Sequence, residues 1–256
     1  MKKNQRIKTD SMKKGIYILP NLFTTASLFF GFYSIIASIG GHFTPAAVAI
    51  ILSIILDGLD GKIARVTNTS SKFGAEYDSL SDLIAFGVAP AVLAYSWGLM
   101  SYGRYGWLAA FLFVLCGALR LARFNVQMDV IDSSMFNGLA IPAAAGVVAT
   151  SVLLFYYLGG EGYFHHSIIL IGMIALSLLM ISNFKYYSFK NLNFFSRKPF
   201  MTFVMIVFML IVIVLEPQIM LFAISVSYAV SGPAWVLFKF IKGRHEDEMT
   251  HYHHRM

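Results

Sequence analysis

Four aspartates occur at regular spacing at the ends of two strongly apolar segments: Asp57, Asp60, Asp78 and Asp82. An ionised carboxylate is costly in apolar surroundings, so such a group needs a cation to neutralise it. If the segments are helices, the two acids of each pair share one face. Because a short connection joins the two segments, we expect all four carboxylates to converge on one site. Oxygen ligands without histidine or thiolate partners suit Mg²⁺, Mn²⁺ or Ca²⁺ rather than zinc.

Three glycines and an arginine accompany these acids: Gly58, Gly61, Gly74 and Arg65. Each glycine lowers helix propensity by about 1 kcal/mol relative to alanine, so close approach of a ligand or a neighbouring helix is the expected reason for its presence. The planar guanidinium of Arg65 can bind a phosphate through two hydrogen bonds. The alternative is that the acids only pair with nearby bases in a solvated loop, but four acids next to apolar sequence favour a functional site.

The composition is that of an integral membrane protein. Of 256 residues, 57% are hydrophobic and 13% charged, and the mean hydropathy is +0.68, values that exclude an ordinary soluble domain. Stretches of about 20 apolar residues can cross a bilayer, and they occur at 17–40, 43–66, 77–100, 104–126, 138–159, 165–184, 199–216 and 217–241. The sequence therefore predicts an all-α, polytopic transmembrane bundle of about eight helices, with a single catalytic domain over residues 15–243.

The basic residues are distributed unevenly between the connections. Of the 20 lysines and arginines, all but Arg104 lie in the leader, the second, fourth and sixth connections with their flanks, and the tail. Since cytoplasmic loops carry the excess of basic residues, we expect both termini and the acidic site to face the cytoplasm from the cell (inner) membrane. This topology explains the net charge of +7 without a nucleic-acid partner, and the bases near the membrane attract anionic lipid headgroups.

The two ends of the chain differ from its apolar body. Residues 1–14 are polar and basic, which predicts a mobile arm or a helix on the membrane surface. Residues 244–256 are charged and rich in histidine, a composition more typical of a disordered cytoplasmic tail than of a metal site. The single cysteine, Cys116, lies in an apolar stretch and permits no intramolecular disulfide.

The acids belong to a longer pattern, Asp57-x2-Asp60-Gly61-x2-Ala64-Arg65-x8-Gly74-x3-Asp78-x3-Asp82. At every fixed position this pattern resembles the signature of the CDP-alcohol phosphotransferase family. The resemblance implies that an alcohol displaces CMP from a CDP-linked lipid, in a homodimer of bundles whose first six helices form the core. It also implies Mg²⁺ or Mn²⁺ as cofactor, with two ions neutralising the phosphate oxygens. The implied roles are metal ligands at Asp57, Asp60 and Asp78, metal ligand and general base at Asp82, and a CDP site lined by Gly61, Ala64, Arg65 and Gly74.

Residues 17–24, 118–125 and 138–146 resemble the membrane-integral phosphatidylserine synthase branch of that family. This branch implies CDP-diacylglycerol as the donor, L-serine as the acceptor, and phosphatidylserine and CMP as products. One departure is Ala140, where the branch has a proline. The change removes a rigid turn and no reactive group, so it affects loop geometry rather than chemistry.

Two further pairs of residues are candidates for substrate contacts. Asn21 and Thr24 lie one helical turn apart and can reach the nucleotide phosphates, although Asn21 after Pro20 also suits a helix cap. Arg120 and Arg123 share a helical face and can hold the carboxylate of serine or a phosphate of the donor. The same two arginines also suit simple anchoring of a helix at the cytoplasmic surface.

Two alternative functions stay open at this stage. An enzyme with the same chemistry can use glycerol 3-phosphate or an inositol phosphate, acceptors that favour extra basic side chains, and the two arginines do not decide the matter alone. A divalent-cation transporter would carry acids near the bilayer midplane on several helices, whereas here they lie at one edge on two helices.

Overall fold

The computed structural model describes residues 2–67, 71–127, 135–187 and 215–253, together with Val204 and Val207. A π-helical segment, Leu83–Val88, joins the third and fourth α-helices, and a 3₁₀ turn, Leu99–Tyr102, precedes the fifth. Two short strands, β1 Met135–Asn137 and β2 Lys185–Tyr187, pair in antiparallel fashion. The α-helices are α1 Lys2–Ile39, α2 Phe43–Thr67, α3 Lys72–Asp82, α4 Ala89–Trp97, α5 Arg104–Gln127, α6 Ile141–Tyr157, α7 Ile168–Ile181 and α8 Pro217–His253.

Five helical stretches are long and apolar enough to cross a membrane: Pro20–Ile39, Phe43–Ile63, Lys72–Trp97, Arg104–Val126 and Pro217–Val236. Helices α6 and α7 are also apolar but shorter. These observations confirm the predicted polytopic helical bundle, to which the β1–β2 ribbon is a small addition. The predicted segment at 199–216 falls almost entirely outside the described residues.

The backbone is helical at both ends of the chain. Helix α1 begins at Lys2, so the basic residues of the leader continue directly into the first membrane span. Helix α8 continues to His253, whereas the composition predicts a disordered tail over 244–256. The division of the chain into an arm, one catalytic domain and a tail stays a prediction.

Helix α1 packs closely along α2 and against the π-helical segment. The hydroxyls of Ser27 and Ser53 lie 2.6 Å apart, and the Ser53 hydroxyl donates to the Ser27 carbonyl at 2.9 Å. In the C-terminal part of α1, a Cβ added at Gly31 would lie 2.6 Å from Cα of Ala85. Small residues and paired hydroxyls thus allow the close helix packing typical of membrane bundles.

A buried core lies between α2, the π-helical segment, α5 and α6. Its largest fully buried side chains include Ile50, Phe86, Phe113 and Ile141. These contacts hold α2 beside the Lys72–Trp97 span. These contacts position the helices that carry the aspartates.

Candidate active site

Three carboxylates meet where the C-terminal half of α2 faces α3. One oxygen from each of Asp57, Asp60 and Asp78 lies within 4.8 Å of the other two. Asp82, the last residue of α3, joins the group because its side chain is hydrogen-bonded to that of Asp57. The structure therefore brings together all four acids for which the spacing predicts convergence. The π-helical segment starts directly after Asp82, and such segments occur frequently at functional sites.

The acid group fits a hard divalent cation. Asp60 is buried and Asp78 is half-buried, and the Oδ1 atom of Asp78 is buried without a hydrogen-bond partner in the described part of the chain. Carboxylates withdrawn from water and placed side by side are costly unless a cation neutralises them. The donor set consists of oxygens, as Mg²⁺, Mn²⁺ and Ca²⁺ require. Asp57, Asp60 and Asp78 can thus hold a metal ion.

Helix α1 contributes Thr24 to this group. The Thr24 side chain is buried, and its hydroxyl donates to Oδ2 of Asp60 at 2.8 Å. Ser81 of α3 donates to the Thr24 carbonyl at 3.2 Å, which ties α1 to the helix that carries Asp78. The sequence predicts Thr24 near the nucleotide phosphates; in the structure its hydroxyl orients an acid of the cluster, a type of contact that tunes metal sites.

Asn21 lies one turn earlier on α1, close to the start of α3. A Cβ added at Gly74 would lie 3.3 Å from Oδ1 of Asn21 and 3.1 Å from Oγ of Ser71. Ser71 caps α3, since its side chain accepts a hydrogen bond from the Gly74 amide at 3.0 Å. Helix α1 runs through Pro20 without a break, so Asn21 does not cap a helix. The close approach of α1 is the structural reason for a glycine at position 74.

The remaining residues of the signature lie on the last turns of α2. The Gly61 backbone is hydrogen-bonded to the Asp60 carboxylate. A Cβ added at Gly58 would meet no atom of the described residues within 4 Å, so no helix in that part of the chain explains this glycine. Ala64 and Arg65 belong to α2, but their side chains lie outside the described residues.

The two candidate arginines of α5 have different surroundings. The half-buried Arg120 guanidinium interacts electrostatically with Tyr228 and Asp82, and its Nε is buried with no hydrogen-bond partner among the residues described. Arg123 instead donates from Nη2 to Oδ1 of Asn183 at 2.9 Å. Of this pair, Arg120 is the cation that faces the acid cluster.

Several polar residues near the site do not appear among the sequence candidates. Ser81 occupies a variable position of the signature, and Tyr228 is one of 13 tyrosines, so neither carries a local signal. Asn125, whose amide donates to the Ser79 hydroxyl at 3.0 Å, ends the 118–125 stretch that resembles the synthase branch. That resemblance was the available clue to Asn125.

The model of the CDP-alcohol phosphatidyltransferase family matches residues 17–181, which contain all four aspartates. This chain belongs to the CDP-alcohol phosphatidyltransferase family. The family assignment confirms the resemblance found in the signature, and it makes the protein a phosphotransferase enzyme rather than a cation transporter. Helix α8 lies beyond the matched residues.

Several similar proteins carry names within this family. A CDP-diacylglycerol–serine O-phosphatidyltransferase of Helicobacter pylori is 40% identical over 230 residues, which cover 89% of this chain and 94% of the relative. An archaetidylserine synthase of Methanothermobacter thermautotrophicus is 39% identical over 170 residues, 66% of this chain and 69% of the relative. A CDP-diacylglycerol–serine O-phosphatidyltransferase of Bacillus subtilis is 34% identical over 173 residues, 68% and 92% of the two chains.

Proposed function

We propose that this enzyme transfers a phosphatidyl group from CDP-diacylglycerol to L-serine, giving phosphatidylserine and CMP. The main observation in support of metal-dependent phosphotransfer is that one carboxylate oxygen from each of Asp57, Asp60 and Asp78 lies within 4.8 Å of the other two. The choice of donor and acceptor is supported by the name of the Helicobacter pylori relative, which this chain matches over 94% of that protein's length.

The proposed cofactor is Mg²⁺ or Mn²⁺, as two ions held by Asp57, Asp60, Asp78 and Asp82. When bound, such ions neutralise the phosphate oxygens of the donor and stabilise the charge that develops on the departing CMP. The hydrogen bond from the Thr24 hydroxyl to Oδ2 of Asp60 orients this carboxylate for metal binding. The Oδ1 atom of Asp78, which has no hydrogen-bond partner among the described residues, supplies another oxygen.

Asp82 is the proposed general base. The hydroxyl oxygen of serine attacks the phosphorus that bears the diacylglycerol, while its proton passes to the Asp82 carboxylate. The bond from that phosphorus to the CMP oxygen breaks, and CMP leaves with the electron pair. A positioned base of this kind contributes about 10²–10⁴-fold to a rate. The proposed CDP contacts are those of the signature and of α1: Gly61, Ala64, Arg65, Gly74, Asn21 and Thr24.

The surroundings of the two arginines support serine over a phosphorylated acceptor. Arg120 interacts with Asp82, whereas Arg123 is paired with Asn183. A phosphate-bearing acceptor carries more negative charge than the single carboxylate of serine, and it favours several cations around the pocket. Of the two α5 arginines, only Arg120 interacts with the proposed base, and a single guanidinium suits a carboxylate.

The proposed setting is the cell (inner) membrane, with the active site and both termini in the cytoplasm and the enzyme acting as a homodimer. The distribution of basic residues, with Arg104 alone on the opposite side, supports this orientation. CDP-diacylglycerol then reaches the acid cluster from the surrounding bilayer, and serine reaches it from water.

The test is CMP release from CDP-diacylglycerol by the purified protein in detergent, with Mg²⁺ or Mn²⁺ and with L-serine, glycerol 3-phosphate or inositol phosphate as acceptor. We expect serine-dependent release that stops on addition of a chelator and returns with excess metal. Release with a phosphorylated acceptor only would overturn the assignment of serine. Release that is unaffected by removal of divalent cations would overturn the metal role of the aspartates.

A further inference from the structure

Among the described residues, the cation at the edge of the acid cluster that has a buried, unpartnered nitrogen is Arg120. It belongs to α5, interacts with Asp82, and has a buried Nε without a hydrogen-bond partner in the part of the chain that the structure describes. An unsatisfied donor on a charged group is costly to bury. A bound anionic group next to Asp82 would remove that cost.

Tyr186 of β2 holds helix α8 in place through a hydrogen bond and ring packing. Its side chain is 1% exposed, and its hydroxyl donates to the Ala229 carbonyl at 2.9 Å. Its ring fills the space beside Gly232, where an added Cβ would lie 2.4 Å from the ring. Burial raises the pKa of Tyr186 to about 12, so this phenol remains a hydrogen-bond donor at neutral pH.

This attachment positions Tyr228, the residue before Ala229 on α8. The rings of Tyr186 and Tyr228 lie 5.6 Å apart at an angle of 42°, and Tyr228 interacts electrostatically with the Arg120 guanidinium. Helix α8 starts at Pro217, beyond the residues that match the family. Tyr228 therefore adds a group from outside the family domain to a site built by α2, α3 and α5.

A guanidinium and a phenol hydroxyl together can donate hydrogen bonds to one carboxylate. In serine only two carbons separate the hydroxyl from the carboxylate. When the serine hydroxyl is hydrogen-bonded to Asp82, the serine carboxylate therefore lies next to the protein groups that neighbour Asp82. Arg120 is such a group. We propose that Tyr228, positioned by Tyr186, binds the carboxylate of the acceptor amino acid together with Arg120. This inference rests on the proposed function.

The first experiment is steady-state kinetics of the full-length Tyr228→Phe variant, which loses the hydroxyl and keeps the ring against Tyr186. We expect the KM for L-serine to rise at least about tenfold, equivalent to ~1.4 kcal/mol, because one hydrogen bond to a charged group is lost. The KM for CDP-diacylglycerol and kcat should change less than about twofold. The matched control is Tyr102→Phe. The Tyr102 hydroxyl donates to the His165 carbonyl at 3.2 Å, near the opposite end of the bundle from Asp82.

A second comparison uses L-serinamide, which keeps the hydroxyl and the ammonium group of serine but has no carboxylate. The wild-type ratio of kcat/KM for serine over serinamide should fall about tenfold in Tyr228→Phe, since the variant loses contacts that only serine makes. A variant that is merely less stable would lose activity with serine and with serinamide to the same extent. If Tyr228→Phe does not fold, Tyr186→Phe gives the same comparison from outside the pocket, with a shift in the same direction.

The outcomes separate this inference from the proposed function. A wild-type enzyme with no serine-dependent CMP release overturns the proposed function, and this inference with it. Serine-dependent release in the wild type, with an unchanged KM for serine and an unchanged serine to serinamide ratio in the folded variant, overturns the role of Tyr228 alone. A selective rise in the KM for serine supports it.

Discussion

Replacing Thr24 by valine removes the hydroxyl that donates to Asp60 and keeps the shape of the side chain. The donor and acceptor atoms are 2.8 Å apart and Thr24 is buried, so water cannot easily take over the bond. The same hydroxyl lies farther, 3.2 Å, from the Pro20 carbonyl. The contact with Asp60 is therefore the main polar interaction that the substitution deletes.

The expected size of the effect on metal binding follows from the negative charge of Asp60, which accepts the hydrogen bond. A hydrogen bond to a charged group contributes ~1.5–3 kcal/mol, and each ~1.4 kcal/mol is a factor of ten. Loss of partners that orient metal ligands reduces metal affinity or activity by about 10–100-fold. We therefore expect Thr24→Val to raise the metal concentration for half-maximal activity at least about tenfold.

The assay is CMP release at saturating CDP-diacylglycerol and serine over a titration of Mg²⁺ or Mn²⁺. Thr24→Ser keeps the hydroxyl and should stay near the wild-type midpoint. Thr25→Val is the matched control at the next position. The exposed Thr25 hydroxyl donates to the Asn21 carbonyl at 2.7 Å, lies 2.9 Å from the Tyr77 hydroxyl and, among the described residues, contacts none of the four aspartates. A wild-type midpoint in Thr24→Val would refute the reasoning, since the geometry of Asp60 would then not depend on α1.

Two further predictions concern the proposed base and the packing of α1. Asp82→Asn should lower the rate of CMP release by at least about 100-fold with little change in thermal stability, and a wild-type rate in that variant would remove Asp82 from the role of base. Gly31→Ala should lower the free energy of unfolding by about 1–3 kcal/mol, because the new Cβ would lie 2.6 Å from Cα of Ala85. Thermal unfolding in detergent measures this loss of stability. The control is Gly172→Ala, because a Cβ at Gly172 would meet no atom of the described residues within 4 Å. Equal unfolding temperatures for Gly31→Ala and Gly172→Ala would show that α1 can move away from Ala85.

The acid cluster is the part of the site that sequence reasoning predicts best. Spacings of three and four residues place Asp57 with Asp60, and Asp78 with Asp82, on shared helix faces. A short connection between α2 and α3 makes the helices neighbours. Both facts are local, so the sequence predicts the convergence of these carboxylates, which the structure achieves through α1, packed against both helices.

Local patterns are weaker guides to the internal structure of the spans. The apolar stretch predicted at 77–100 begins earlier, at Lys72, and contains the π-helical segment Leu83–Val88. Hydropathy reports that a segment crosses the membrane and carries no signal for a change of helix type. The β1–β2 ribbon pairs Met135 with Tyr187, residues far apart in the sequence, and strands of three residues have too little periodicity to be recognised.

Membrane insertion and the identity and grouping of the acids follow from composition and from helical spacing, which act over a few residues at a time. The partners of those acids do not. Thr24 is hydrogen-bonded to Asp60 across 36 residues, and Arg120 of α5 interacts electrostatically with Tyr228 of α8. Such pairs depend on how complete helices pack, because packing of small residues and buried hydroxyls sets which faces meet. The tertiary structure therefore decides which side chains complete the site, even where the sequence alone predicts the chemistry at its centre.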